Sequence, residues 1–300
     1  MKAHAHPFLL PFCLAATWLV WGSTYLGIKF ALLSFTPYVL SGVRYLVAGF
    51  VLLAIVKFQR APWPNLRQTL NAGIIGILMT TIGNGLTCVA ERTMPSGATA
   101  LIIASTPLMT VVLGHLLGTR ARTLEWYGIV LGIVGIVLIN LDAELAADPR
   151  GVALVMAACL SWALASVLIP RLDLPEGAMS SAVQMVVGGF TSIPIALAMG
   201  DRIPSHVEPK AVLALAYLIV FGSIIAYSSY VWLLRNARPA LASSCSYVNP
   251  VVALFLGWLV GGEAVSWPLV AGIAIILTGV VLISRASHHS QAPEPEAATD

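Results

Sequence analysis

Charge is what this sequence has least of. Asp, Glu, Lys and Arg make up 10% of its 300 residues, where an ordinary soluble domain carries about 25%. A chain so poor in charge cannot clothe a water-facing surface. Its 58% hydrophobic content and mean hydropathy of +0.89 say that much of it takes lipid as solvent. The placement of the few charges excludes further chemistry. Asp142, Asp148, Asp173, Asp201 and Asp300 all fall in connecting stretches or the tail. There is no H-E-x-x-H run and no cluster of carboxylates within the apolar stretches, so an enzyme working inside the membrane has no acid–base or metal-ligating set. No G-x-x-x-x-G-K-[ST] loop is present to cradle a nucleotide, and no cofactor is called for. The net charge of +3 comes without a basic cluster interleaved with aromatics, which argues against nucleic acid as a partner. Cys13, Cys88, Cys159 and Cys245 sit singly in apolar stretches with no C-x-x-C spacing. They read as small buried hydrophobes, not as disulfide or zinc partners.

What the chain has in quantity is long apolar runs. They fall at 8–30, 37–57, 68–90, 95–118, 123–141, 149–170, 177–200, 209–234, 239–260 and 266–284. Each is about 19 to 26 residues long, and a membrane helix needs about 20. Lipid cannot satisfy free backbone groups, and the strands of closed barrels alternate apolar with polar residues, so these runs are helices. The expected fold is an all-α polytopic membrane protein of ten transmembrane helices joined by short connections. The first run is too long for a signal-peptide core and nine more follow, so it is expected to be retained. Counting Lys and Arg near the run ends places ten on the N-terminal side of the membrane and five on the other. By the positive-inside rule both termini are cytoplasmic, with residues 1–7 as a short leading segment and 286–300 as a polar, Pro/Ala-rich disordered tail.

The runs also repeat. "MPSGATALIIASTPLMTVVLGHLLG" from 94 resembles "RPALASSCSYVNPVVALFLGWLVG" from 238, with prolines matched at Pro95 and Pro239 and again at Pro107 and Pro250. Both close on G-x-x-x-G, at Gly114/Gly118 and Gly257/Gly261, where small residues are expected to let helix backbones approach. Trp21 in the first run is matched by Trp162 in the sixth. The chain thus divides into five-helix repeats at 8–142 and 149–285. An odd number of spans turns the second repeat upside-down relative to the first, an arrangement of secondary transporters whose substrate binds near mid-membrane between the halves.

"WGSTYLGIK" at 21–29, "GVRYLVAG" at 42–49, "AERTMPSGATALIIASTPLMT" at 90–110 and "YVNPVVALFLGWLVGGE" at 247–263 resemble the EamA-type carriers of the drug/metabolite transporter superfamily. The resemblance covers the chain apart from its tail. It implies an inner-membrane exporter working around a central cavity, and its nearest members imply neutral or aromatic amino acids as cargo. Drugs, sugars and nucleotide-sugars are carried by other members, so those substrates stay open. A phosphate-bearing solute would want at least two deep basic residues. A channel would show charged rings or a filter loop, and none is visible.

Within the spans, the polar and aromatic residues nominate a site. Trp18, Trp21 and Tyr25 follow i, i+3, i+7 and share one helical stripe, with Trp162 offering an indole from the other half. Indoles at mid-depth need hydrogen-bond partners, so they either line a cavity or fill helix gaps beside polar neighbours. Thr80 and Asn84 in the third span, Tyr227 in the eighth, and Ser246, Tyr247 and Asn249 in the ninth complete the expected substrate-binding set. Pro107 and Pro250 each remove a backbone bond and free a carbonyl, which suits a hinge or an ammonium site. Arg44 lies within a span, where charge is costly unless paired. Glu91 is its expected partner, and the pair joins the prolines as candidate gating groups. The expected partners of the whole molecule are a small-molecule substrate and membrane lipid.

Overall fold

In the computed structural model, residues 8–118, 148–201, 206–236 and 245–260 are described, together with Pro204 and isolated positions within 123–134 and 262–281. For Ser246 and Tyr247 the backbone alone is described. Among these residues seven helices are long and apolar enough to cross a membrane: α1 (Leu9–Ala31), α2 (Pro37–Phe58), α3 (Leu66–Ala90), α4 (Ser96–Leu116), α5 (Pro149–Arg171), α6 (Gly177–Ala198) and α7 (Pro209–Asn236). The shorter α8 (Cys245–Leu259) follows. These helices fall on the first four and the sixth to ninth apolar runs. The fifth run lies mostly outside the described residues, and the tenth is represented by the apolar stretch Val270–Gly279, itself only partly described.

Local chemistry sets the helix ends. Pro37, Pro149 and Pro209 open α2, α5 and α7 at positions where the missing N–H costs nothing. Asn65 and Gln68 form a reciprocal capping box at the start of α3. Gly118 (φ 94°) and Gly200 (φ 75°) follow the ends of α4 and α6 in the left-handed conformation that ends a helix. A Cβ at Gly118 would meet open space. This glycine is therefore a helix stop, not the packing glycine that the G-x-x-x-G spacing predicts.

Other glycines provide the tight packing. A Cβ built at Gly49 of α2 would lie 2.7 Å from the Val186 nitrogen of α6, and one at Gly189 of α6 would lie 2.6 Å from the Leu46 nitrogen of α2. At Gly76 of α3 the clash is with the Gln184 carbonyl, at 2.2 Å. Bare backbone thus meets bare backbone along the faces that α6 presents to α2 and α3, where van der Waals contact replaces the hydrophobic drive that lipid removes. Large apolar side chains such as Leu19, Phe50, Phe190 and Trp258 stay exposed on the outside of the bundle, as lipid-facing residues do.

Among the described residues three helices leave the regular ladder. Wide π turns run through Ala16–Val20 of α1, Ile77–Asn84 of α3 and Leu218–Tyr227 of α7. Such turns bond residue i to i+5 and leave carbonyls seeking other donors, which in lipid must come from the protein. Neighbouring helices supply them. With its amide oriented to satisfy its surroundings, Asn249 Nδ2 of α8 faces the Trp18 and Thr17 carbonyls of α1 at 2.9 and 3.0 Å. The hydroxyl of Ser161 in α5 donates to the Leu78 carbonyl of α3 (2.7 Å), and that of Ser41 in α2 donates to the Thr80 carbonyl (3.2 Å). Trp21 Nε1 of α1 donates to the Gly222 carbonyl of α7 (3.1 Å).

The two prolines expected to act alike differ. The helical ladder of α4 breaks at Ala104–Ser105 and restarts with Pro107 in its first turn. Pro250 lies within α8, which runs on around it. The Ile103 carbonyl that Pro107 leaves free accepts from the Thr106 hydroxyl at 2.6 Å, so it is closed off locally and does not wait for an ammonium group.

Candidate functional site

A cavity of about 300 Å³ lies inside the bundle, lined by residues of α1, α2, α3, α4, α5, α7 and α8. No residue of α6 lines it; that helix backs α2 and α3 through the glycine contacts. The waist of the cavity is aromatic. Trp21 and Trp162 meet edge to face with ring centres 5.6 Å apart. Tyr230 closes the cluster, 4.8 Å from Trp21 and 5.9 Å from Trp162. These separations suit the quadrupoles of aromatic rings. The polar ends of the rings are held too: the Trp21 N–H by the Gly222 carbonyl, and the Tyr230 hydroxyl by Ser166 at 3.1 Å.

Of the residues expected to meet a substrate, Trp21, Tyr25, Asn84, Trp162 and Asn249 line the cavity, and so do Arg44, Pro107 and Pro250. Trp18 does not; it packs against the apolar cluster beside the cavity. Thr80 is fully buried and its hydroxyl donates to the Gly76 carbonyl of its own helix (2.7 Å). Tyr227 stands behind the wall, its ring 6.3 Å from Trp162 and its hydroxyl donating to Gln184 Oε1 of α6 (2.8 Å). The side chains of Ser246 and Tyr247 lie outside the described residues. The lining residues absent from the expected set include Tyr230, Thr24 and Tyr45. Tyr230 is three residues past Tyr227 on the same span, so a shift of less than one turn separates the nominated tyrosine from the one that lines the cavity.

Arg44 and Glu91 do not form the expected pair. Arg44 Nε donates to Ser223 Oγ of α7 (2.7 Å), and its guanidinium carbon sits 4.9 Å from the Tyr45 ring centre. Glu91 is buried at the end of α3 and does not line the cavity. Among the described residues no group of His, Cys, Asp and Glu is arranged to hold a metal ion. Chemically, the chamber offers apolar ring faces, amides and hydroxyls, and one guanidinium.

The EamA-like transporter family model matches the chain twice, at residues 9–141 and 149–285. The chain is 40% identical to the inner membrane transporter YedA of Escherichia coli (strain K12), itself uncharacterised, over 92% of this chain and 91% of the relative. It is 25% identical to protein PecM of Dickeya dadantii (strain 3937), with 91% of each chain covered. One solved crystal structure, 20% identical, covers 94% of this chain and 99% of its own with a TM-score of 0.68, a likeness of fold.

Proposed function

Because the chain belongs to the EamA-like transporter family, we propose that it exports a small amphipathic metabolite, of the neutral or aromatic amino-acid class, across the inner membrane. As a multi-pass membrane transporter it is not an enzyme. Its two halves are five-helix bundles of opposite orientation, both termini are cytoplasmic, and transport proceeds by alternating access at the cavity between them.

The observation that carries the substrate class is the aromatic waist. Trp21, Trp162 and Tyr230 come from three different helices and line one chamber. Asn84, Asn249 and Thr24 bring polar groups beside them. An apolar wall with a few placed polar groups selects a solute with an apolar side chain and a polar end. At about 300 Å³ the chamber sits at the small end of ligand sites, a size for one amino acid. A nucleotide-sugar, with its phosphates, would ask for more basic groups than the single arginine among the described lining residues.

The test is uptake into reconstituted vesicles across a panel of amino acids, with wild type and with Trp21→Ala and Trp162→Ala. Uptake saturates and is accelerated by preloaded substrate, as a carrier requires. Each indole removal lowers it about tenfold or more, the effect of losing roughly 1.5 kcal/mol or more of ring contact, with normal membrane insertion. Full activity in both variants overturns the aromatic-chamber reading.

A further inference from the structure

Arg44 is the one charged side chain among the described residues lining the cavity. It is 2% exposed, and a buried guanidinium in a membrane span is costly unless it is paired or serves a solute pathway. Its Nε is held by Ser223 at 2.7 Å. Its Nη1 is buried and has no hydrogen-bond partner among the described residues. Its Nη2 lies against the bare backbone of Gly222, where a Cβ would come within 2.8 Å. A guanidinium carries five N–H donors in a planar fork, and one bond to a hydroxyl leaves most of that fork unused.

Gly222 ties this group to the aromatic waist. Its carbonyl receives the Trp21 indole N–H while its α-carbon face accommodates the guanidinium. Ring surface and unsatisfied cationic donors therefore converge on the same turn of α7, one residue apart from Ser223, which holds Nε. We propose that Arg44 is the seat for the carboxylate of the transported solute, an organic monocarboxylate whose apolar portion lies against Trp21, Trp162 and Tyr230. The proposal rests on the aromatic-chamber reading and adds the charge to it. A carboxylate takes two parallel N–H donors from the fork. An amine would bring like charge to the guanidinium, and a phosphate dianion would ask for a second lining cation.

Four probes of matched shape decide it: 3-phenylpropionate, L-phenylalanine, 2-phenylethanol and phenethylamine. Each is titrated calorimetrically against the purified full chain in lipid nanodiscs. Wild type binds the two carboxylates about tenfold to a hundredfold more tightly than the alcohol, the range expected for hydrogen bonds to a charged group, and binds the amine most weakly. Arg44→Gln brings the carboxylates down to the level of the alcohol, whose own affinity stays the same. Arg44→Lys, a point charge without the fork, keeps part of the preference. The wild-type ranking is decisive even if Arg44→Gln does not insert. An alcohol bound as tightly as the carboxylates overturns the anion seat and leaves the aromatic chamber standing. Loss of alcohol binding in Arg44→Gln makes the residue structural and overturns the assignment. Binding of none of the four overturns both readings.

Discussion

In α3 the wide turn Ile77–Asn84 is clasped by short groups from three neighbours, whereas the wide turn Leu218–Tyr227 of α7 meets an indole and a guanidinium that face the cavity. The two turns sit at equivalent places in the repeated sequence. Leu78 and Gly222, whose carbonyls accept from Ser161 and Trp21 respectively, are separated by the same 144 residues as Pro95 and Pro239. Around α3, Ser41 takes a second carbonyl, the Thr81 hydroxyl donates to the Gly188 carbonyl of α6 (2.8 Å), and Gly76 lies flush against α6. Around α7, the Gly222 carbonyl is bound by Trp21 and the Ser223 hydroxyl by Arg44. The α3 turn is thus fastened by hydroxyls that do not line the cavity, and the α7 turn is coupled to the chamber by an indole and a guanidinium that do. A solute that displaces Trp21 or Arg44 acts on the α7 turn through them, whereas the α3 turn meets the chamber at its far end, through Gly83 and Asn84.

The sharpest way to break this contrast is to add one methyl group to a glycine at each helix. In Gly76→Ala the new Cβ would stand 2.2 Å from the Gln184 carbonyl and 2.9 Å from its α-carbon. Backbone cannot swing aside, so α6 must shift, at a cost of about 3 kcal/mol, the upper part of the range for overpacked cores. In Gly222→Ala the nearest atoms are Arg44 Nη2 at 2.8 Å and Thr24 Cγ2 at 2.9 Å, which are the ends of side chains. The guanidinium moves away, so stability falls by about 1 kcal/mol or less while carboxylate binding drops. Unfolding of the purified protein in mixed detergent micelles measures the first effect, and calorimetric titration with 3-phenylpropionate the second. Equal losses of stability in the two variants would erase the distinction between fastening and coupling.

The wide turns also explain how far the site could be read from the residues alone. The spans follow from composition, Trp21, Tyr25 and Asn84 from a 3.6-residue period, and Trp162, Asn249 and Pro107 from the match between the repeats, and the described structure places each of these six residues at the cavity. The described residues nominated for substrate contact that do not reach it are Trp18, Thr80 and Tyr227, and each lies inside one of the three described π turns. A turn bonded i to i+5 holds more residues than a regular one, so a stripe extrapolated at 3.6 loses its register there. Trp18 slips off the stripe that Trp21 and Tyr25 keep, and on α7 the cavity position passes from Tyr227 to Tyr230. Such turns carry no local sequence signature. They form where a neighbouring helix offers a donor for the released carbonyl, and Ser161 and Leu78 are 83 positions apart in the chain. Arg44 shows the same limit: its depth is legible, but its partner Ser223 comes from α7, 179 positions away.

A finer cut separates the Trp21 ring from its N–H. Trp21→Phe keeps an aromatic face at the waist and removes the donor to the Gly222 carbonyl. The lost bond is worth about 1 kcal/mol, or roughly a fivefold loss of affinity for an aromatic substrate, smaller than the loss in Trp21→Ala. Binding titrations of both variants check the order. If Trp21→Phe binds like wild type, the indole serves as a ring alone and the link from chamber to α7 runs through Arg44.

The smallest effect is expected on the fastening side. Ser161 neighbours Trp162 in α5, yet its side chain turns to the Leu78 carbonyl and does not line the cavity. Interhelical hydrogen bonds in membranes average about 0.6 kcal/mol, because the separated helices find other partners for the same groups. Ser161→Ala therefore lowers stability by about that amount and leaves uptake at the wild-type level, since no group at the waist is disturbed. Adjacent residues on one helix then fall on opposite sides of the contrast, Trp162 on function and Ser161 on a fraction of a kcal/mol of stability. Uptake measured beside detergent unfolding resolves the two. A transport loss in Ser161→Ala comparable to that of Trp162→Ala would mean that the turn of α3 moves with the chamber as well, and that both halves are coupled to the solute alike.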